Sequence, residues 1–263
     1  MKIGINSSFI VTHFDDLLKP NFYIDKINYN FGYYDNYRLK FETECVNIFD
    51  LNNQIDNFIN EINKNLNKID AELSDKKYYE VDEKHIEVND NLNNAYDLIK
   101  KIKNYNFVIT NGFLKIHDDI FIDKNLTKIF IYLLDLFLGT TSLFVDNDAS
   151  QIIRRLYYKC GDYSKYNNTI EYKLLSNNWL FDSNKINLIC QIVDFCLSFI
   201  KDENYKKFYD IENDYVYIHG YDFIDYINII NQLKINKAER YLRFIFNFLP
   251  ENICNDIEKI KAP

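Results

Sequence analysis

The sequence predicts an α+β fold in which an antiparallel sheet packs against helices and a helical region completes the chain. Apolar and polar residues alternate in the first 45 residues, and apolar residues recur at three- and four-residue spacings in two later stretches. From Asn184 onward the pattern is helical throughout. Strands that precede a run of helices are typical of α+β domains. We therefore expect a sheet-containing domain over residues 1–182 and a helical region over residues 183–263 packed on it.

The clearest early strand is predicted from Tyr37 to Cys45, after a turn at residues 34–36. One set of alternate positions is mostly apolar and the other is charged, which predicts a strand with one face on a core. The first set is Leu39, Phe41, Thr43 and Cys45, and the second is Arg38, Lys40, Glu42 and Glu44. Further strands are predicted at residues 107–116 and 169–175, with a short one at 78–81 in a charged loop.

Two apolar stripes predict long amphipathic helices. The first stripe is Ile55, Phe58, Ile59, Ile62, Leu66 and Ile69. The second is Leu126, Ile129, Phe130, Leu133, Leu134 and Phe137. Asp135 interrupts the second stripe, and we predict that it is a hydrogen-bonded polar group rather than a catalyst. A weaker helix is predicted over residues 92–102, and Trp179 is predicted to lie in the core.

Composition excludes several classes of protein. With 47% hydrophobic and 17% aromatic residues the chain is not globally disordered, and its formal charge of −8 argues against a general nucleic-acid binder. The most apolar stretch, residues 129–138, is much shorter than the ~20 residues that cross a bilayer. Five cysteines without CxxC spacing favour reduced thiols over disulfides or zinc. We expect an intracellular protein with no membrane partner.

The segment from Leu133 to Leu180 carries the most specific motifs. They are Leu134-Asp135-Leu136 with Gly139, then Arg154-Arg155, Tyr157, Lys159 and Gly161, then Glu171-Tyr172-Lys173, Leu175-Ser176-Asn177 and Trp179-Leu180. This segment resembles the phage-type COOH–NH2 ligases, the type 2 amidoligase-like family related to the glutamine-synthetase fold. The resemblance therefore implies a glutamine-synthetase-like antiparallel sheet.

The upstream motifs of that family match by order more than by identity. Its opening IGxDxEF strand corresponds to residues 3–9, where Asn6 stands at the Asp position and Ser8 at the Glu position. Lys40 stands where the next motif has Glu. In the strand GGHIHIG, Phe113 and Lys115 replace the two histidines. These replacements remove side chains that would hold a metal ion.

The resemblance implies ATP-dependent joining of a small-molecule or peptide carboxylate to an amine, with Mg²⁺ at the phosphates. Magnesium requires hard oxygen ligands, and cationic side chains stabilise the transferred phosphoryl group. The implied catalytic residues are Glu171, Lys173, Arg154 and Arg155, with Lys159 and Lys115 as groups for the nucleotide. A metal site rebuilt on the same strand faces would use Glu171, Glu42, Glu44 and His117, because a shift by two residues keeps a side chain on its face.

Each of these residues also has a structural alternative. Glu171 and Lys173 could form an ion pair on a half-solvated sheet. The pair Arg154-Arg155 could lie at the end of a surface helix, and Lys159 could be a solvated loop residue. His117 could be an exposed residue at a strand end.

Two functions of different classes follow. The first is an ATP-dependent carboxylate–amine ligase with a degraded metal site. The second is a non-catalytic descendant that acts as a binding or structural protein. The 36 Asn and 26 Lys against 5 Arg indicate an AT-rich genome, which together with the phage-type family favours a virus or mobile element. The protein would then be located in the host cytoplasm or in a virion.

Overall fold

The computed structural model of this protein describes twelve stretches of the chain. They are residues 1–13, 16–17, 32–35, 38–66, 71–74, 78–80, 107–109, 111–145, 158–207, 209–210, 215–216 and 223–261. The predicted helix at residues 92–102 and the arginine pair Arg154-Arg155 lie outside them. The predictions for those two segments therefore stay predictions.

An eight-stranded antiparallel sheet forms the first layer. Its main path has the order β3-β4-β1-β8-β10-β9, and two short strands, β2 and β5, also pair with β1. The strands are β1 (Lys2–His13), β2 (Asp16–Leu17), β3 (Gly32–Asp35), β4 (Arg38–Glu42), β5 (Ala71–Ser74), β8 (Asn111–His117), β9 (Tyr163–Tyr166) and β10 (Thr169–Tyr172). A separate ribbon pairs β6 (Tyr78–Glu80) with β7 (Phe107–Ile109). The predicted antiparallel sheet is confirmed.

Strand β4 ends three residues earlier than the alternation predicts, because a bulge follows it. Asn6 pairs with Glu42, and Ile3 pairs with Val46, so the β4 side has one residue more than the β1 side between the two pairs. The side-chain hydroxyl of Thr43 accepts the Ile5 N–H at 2.9 Å. Bulges bend a strand and redirect the side chains around them. The bulge places the Glu44 backbone carbonyl and the Thr43 hydroxyl over Gly4.

Helices cover one face of the sheet as the second layer. They are α1 (Ile48–Leu66), α2 (Lys124–Val145), α3 (Ser183–Lys201), α4 (Phe223–Asn231), α5 (Ile235–Phe246) and α6 (Glu251–Lys261). The described stripe residues of α1 and α2 are buried in, or packed against, one hydrophobic core with the inward residues of the strands. The Leu66 side chain and Ile69, at the end of the predicted α1 stripe, lie outside this description. The predicted long helices are confirmed. The C-terminal region is not wholly helical, since residues 209–210 and 215–216 form a two-stranded ribbon.

Helix α2 contains one turn of π-helix, Asp135–Gly139, between its two α-helical parts. Asp135 is 1% exposed and accepts a hydrogen bond from the hydroxyl of Tyr172 at 2.9 Å, which agrees with its predicted role. By length and composition α2 is long enough to span a bilayer, but 83% of its apolar window is buried inside the protein. It is therefore packed here as a core helix.

A tight contact joins the start of β8 to the loop after β10. Gly112 donates its N–H to the carbonyl of Leu175 at 3.2 Å, and the indole N–H of Trp179 donates to the carbonyl of Gly112 at 3.2 Å. A Cβ at position 112 would overlap the carbonyl oxygen of Ser176. Ser176, Asn177 and Trp179 are buried. The Leu-Ser-Asn-x-Trp motif therefore has a structural role, and Trp179 lies in the core as predicted.

Candidate functional site

Alternate residues of the central strands divide the sheet into a buried face and a polar face. The buried face carries Ile3, Ile5, Phe41, Leu114, Ile116, Ile170 and Tyr172, each at most 1% exposed. Residues paired across neighbouring strands share a face. By this register the other face, here called the polar face, carries Asn6, Glu42, Phe113, Lys115, His117, Thr169 and Glu171. The sheet thus brings Glu42, Lys115, His117 and Glu171 to one surface, as their predicted roles require.

Glu171 is held by a hydrogen bond that crosses β8. The Asn6 side-chain amide on β1 donates to Glu171 Oε2 on β10 at 2.7 Å. Glu171 is the register partner of Lys115, but within the described residues its carboxylate bonds Asn6 and not a lysine. The neutral Asn6 is therefore a hydrogen-bond donor to the Glu171 carboxylate.

Lys115 forms a second link across the sheet. Its ammonium is 2.7 Å from Glu42 Oε1 and donates to the Thr43 carbonyl at 3.0 Å, so the side chain extends from β8 over β1 to β4. Its register partner on β1 is Gly4, which has no side chain in the way. One-fifth of the Lys115 side chain is exposed, against 45% of the Glu42 side chain. The predicted nucleotide group Lys115 and the predicted metal ligand Glu42 are thus bound to each other.

Aromatic packing fills the part of the polar face next to Glu171. Phe113, 8% exposed, packs edge-to-face against Tyr158 with ring centroids 4.8 Å apart. The ammonium of Lys173 lies 5.8 Å from the centre of the Phe113 ring, within the range of a cation–π contact. Lys173 therefore contacts an aromatic ring rather than forming an ion pair with Glu171. Phe113 therefore contributes aromatic packing to this face.

The remaining predicted residues lie at the margins of this surface. His117 Nδ1 is 3.0 Å from the hydroxyl of Thr169 on the next strand, at the end of β8. The alternation predicts that Glu44 continues the strand of Glu42. In the structure Glu44 is instead exposed in the bulge, beyond the end of β4. Lys159 is exposed in a turn that precedes Gly161, where φ is 83° and glycine is favoured.

The described side chains do not fit a magnesium ion. Within the described residues no group of three or more His, Cys, Asp or Glu side chains is placed to hold a metal. The implied ligands Glu171 and Glu42 are instead engaged by Asn6 and Lys115, and an ammonium repels a divalent cation. No step of a reaction is therefore derived through a metal at this face.

The cysteines and the cavity of the helical layer do not add to the polar face, whereas a second cavity, of about 460 Å³, is lined in part by His117. All five cysteines are free thiols, and burial raises the pKa of Cys190 to about 12, so this thiol is not a nucleophile. A cavity of about 570 Å³ lies between helices, lined in part by Asp182, Lys185, Gln191 and Lys259. This cavity is lined by residues of the helical layer and not by the Asn6–Glu171 pair.

Several residues of the site have no signal in the sequence motifs. Asn6 was identified only as a replaced carboxylate, and its bond to Glu171 depends on strand order, which joins residues 165 positions apart. The Phe113–Tyr158 contact depends likewise on tertiary structure. The strand alternation, by contrast, predicts that Glu171 and Tyr172 face opposite sides, and the structure agrees.

No protein-family model matches the sequence, and no curated protein matches it. The fold is similar to the solved structure of GmaS in its apo form without ligand, with a TM-score of 0.52, 9% sequence identity, and coverage of 99% of this chain and 68% of that chain. At this identity the similarity shows the fold alone. The protein is an α+β protein of glutamine-synthetase-like fold, so the predicted fold class is confirmed. The more specific kinship with the phage-type ligases stays a prediction.

Proposed function

We propose that this protein binds a small carboxylate or amine on the polar face and does not catalyse magnesium-dependent amide-bond formation. The resemblance of the Leu133–Leu180 motifs to carboxylate–amine ligases supports the choice of ligand, and the glutamine-synthetase-like fold agrees with it. The observation that carries the proposal is the pairing of both carboxylates on this face. Glu171 is bonded by Asn6, and Glu42 is bonded by Lys115.

The polar groups that remain available on this face can bind an amine or a carboxylate. Glu171 uses Oε2 for Asn6, and Oε1 has no further hydrogen bond within the described residues, so it can accept from an amine. Lys173, at the rim of the Phe113 ring, can donate to a carboxylate. Phe113 and Tyr158 supply an apolar wall beside them. Neither contact needs ATP or Mg²⁺.

The proposal is tested by calorimetric titration with L-glutamate and with methylamine as carboxylate and amine probes, in EDTA. We expect saturable binding of at least one probe, weakened about tenfold by Glu171→Gln, because a hydrogen bond to a charged group is worth roughly 1.5–3 kcal/mol. Tyr166→Phe, at an exposed edge-strand residue, serves as the matched control and is expected to bind like the parent.

The same titration with ATP distinguishes the alternative. An active ligase would bind ATP in Mg²⁺ and lose that binding in EDTA, whereas the proposed protein shows no magnesium-dependent heat. Magnesium-dependent ATP binding that Glu171→Gln removes would contradict the proposal. An intracellular and viral setting remains a prediction from composition.

A further inference from the structure

We propose that the Lys115 ammonium is the resident cation of this face and occupies the place in which a divalent ion would otherwise bind. This inference rests on the proposed function. It assigns a role to Lys115: its side chain occupies the oxygen atoms of Glu42 and Thr43 that a divalent ion would otherwise use.

The oxygen atoms around the ammonium are those a hard cation would take. Lys115 Nζ is 2.7 Å from a carboxylate oxygen of Glu42 and 3.0 Å from the backbone carbonyl of Thr43. Carboxylate and backbone carbonyl oxygens are the usual ligands of Mg²⁺, Mn²⁺ and Ca²⁺. The bulge after β4 turns the Thr43 carbonyl toward this point. The site therefore has a cation-binding geometry that a lysine completes.

A second carboxylate, that of Glu171, lies on the neighbouring strand β10. Glu171 is the cross-strand partner of position 115, and directly paired residues have Cβ atoms about 4.5–5.5 Å apart. With lysine at position 115 this carboxylate bonds Asn6 instead. With an acidic residue at position 115, three carboxylates on β4, β8 and β10 would lie on the same face of the sheet.

Side-chain length places the ion where the ammonium now lies. Lysine Nζ is four bonds from Cβ, and a glutamate oxygen is three bonds from Cβ. A metal ion about 2.0–2.2 Å from that oxygen is the next atom outward. Lys115→Glu therefore puts a bound ion at about the position of Nζ, within reach of Glu42 and Thr43. Gly4 contributes no side chain on this path over β1, although the Glu44 carbonyl oxygen lies 2.7 Å from where its Cβ would be.

The test is a titration of the purified full chain with Mn²⁺, in which electron paramagnetic resonance measures the concentration of the free ion. We expect no saturable site in the parent below about 1 mM, and one ion per chain in Lys115→Glu with at least about tenfold tighter binding. Adding Glu42→Gln to that variant should abolish the gain. Lys237→Glu, which adds the same charge on an exposed face of α5, is expected to behave like the parent.

Two results would overturn the inference. One is a saturable Mn²⁺ site in the parent that Glu42→Gln weakens, because the ammonium would then not exclude the ion. The other is binding by Lys115→Glu no tighter than by Lys237→Glu. If Lys115→Glu does not fold, Lys115→Gln removes the cation with little change in size and must show a smaller gain that Glu42→Gln reverses. These titrations involve no nucleotide, so ATP turnover by the parent would contradict the proposed function without deciding the role of Lys115.

Discussion

Gly112→Ala is expected to destabilise the protein by about 3 kcal/mol or more, the largest effect of any single methyl group that the structure identifies. The added Cβ would overlap the Ser176 carbonyl oxygen and lie 2.7 Å from Trp179 Nε1. To remove this overlap the loop after β10 has to move away from β8. That movement breaks the hydrogen bonds from Gly112 to Leu175 and from Trp179 to Gly112. Trp179 is the one tryptophan of the chain, so its fluorescence during urea unfolding reports the loss of stability directly.

Gly161→Ala is the matched control. A Cβ at Gly161 meets no atom within 4 Å, but φ is 83°, so only the backbone cost of about 1–2 kcal/mol remains. We expect a clearly larger loss of stability in Gly112→Ala than in Gly161→Ala. Equal losses would show that the loop does not pack against β8 as described.

Tyr172→Phe is expected to cost about 2 kcal/mol of stability. The hydroxyl donates to the carboxylate of Asp135, which is 1% exposed in the π-helical turn of α2, and the variant leaves that oxygen without this donor. Buried acceptors that lose a donor are not rehydrated, which makes the loss larger than that of a surface hydrogen bond. Thermal and urea unfolding are suitable measurements, with Tyr166→Phe at an exposed position as the unchanged control.

The neighbouring variant Glu171→Gln should show the opposite behaviour. Glu171 lies on the polar face and Tyr172 on the buried face, so Glu171→Gln is expected to change stability by no more than about 1 kcal/mol while it weakens ligand binding. A large stability loss in Glu171→Gln, or a ligand-binding defect in Tyr172→Phe at unchanged folding, would contradict the division of this motif between the two faces.

Local periodicity predicted the layers of this fold because each helix or strand buries one face. The Ile129 stripe became α2, and the alternation at Glu171 and Tyr172 correctly separated a polar from a buried side chain. The end of β4 was not predicted, since the bulge after Glu42 depends on pairing with β1 and has no local sequence signal. Motif order identified the glutamine-synthetase-like sheet.

The site itself was only partly predictable. Face assignment placed Glu42, Lys115, His117 and Glu171 on one surface, because residues two apart share a face. The partners could not be read from spacing: Lys115 reaches β4 over Gly4, and Asn6 reaches β10 over β8. Both contacts follow from strand order, which the sequence does not encode locally. Sequence motifs alone therefore do not decide whether these carboxylates bind a metal ion or are bonded by side chains on other strands.

The most direct test of the central claim is phosphate release by the parent protein in ATP and Mg²⁺, with panels of carboxylates and amines. We expect phosphate release no faster than in a buffer without protein, because Asn6 and Lys115 engage the Glu171 and Glu42 carboxylates of the polar face. Sustained release that needs both an amine and Mg²⁺, and that disappears in Glu171→Gln, would contradict it.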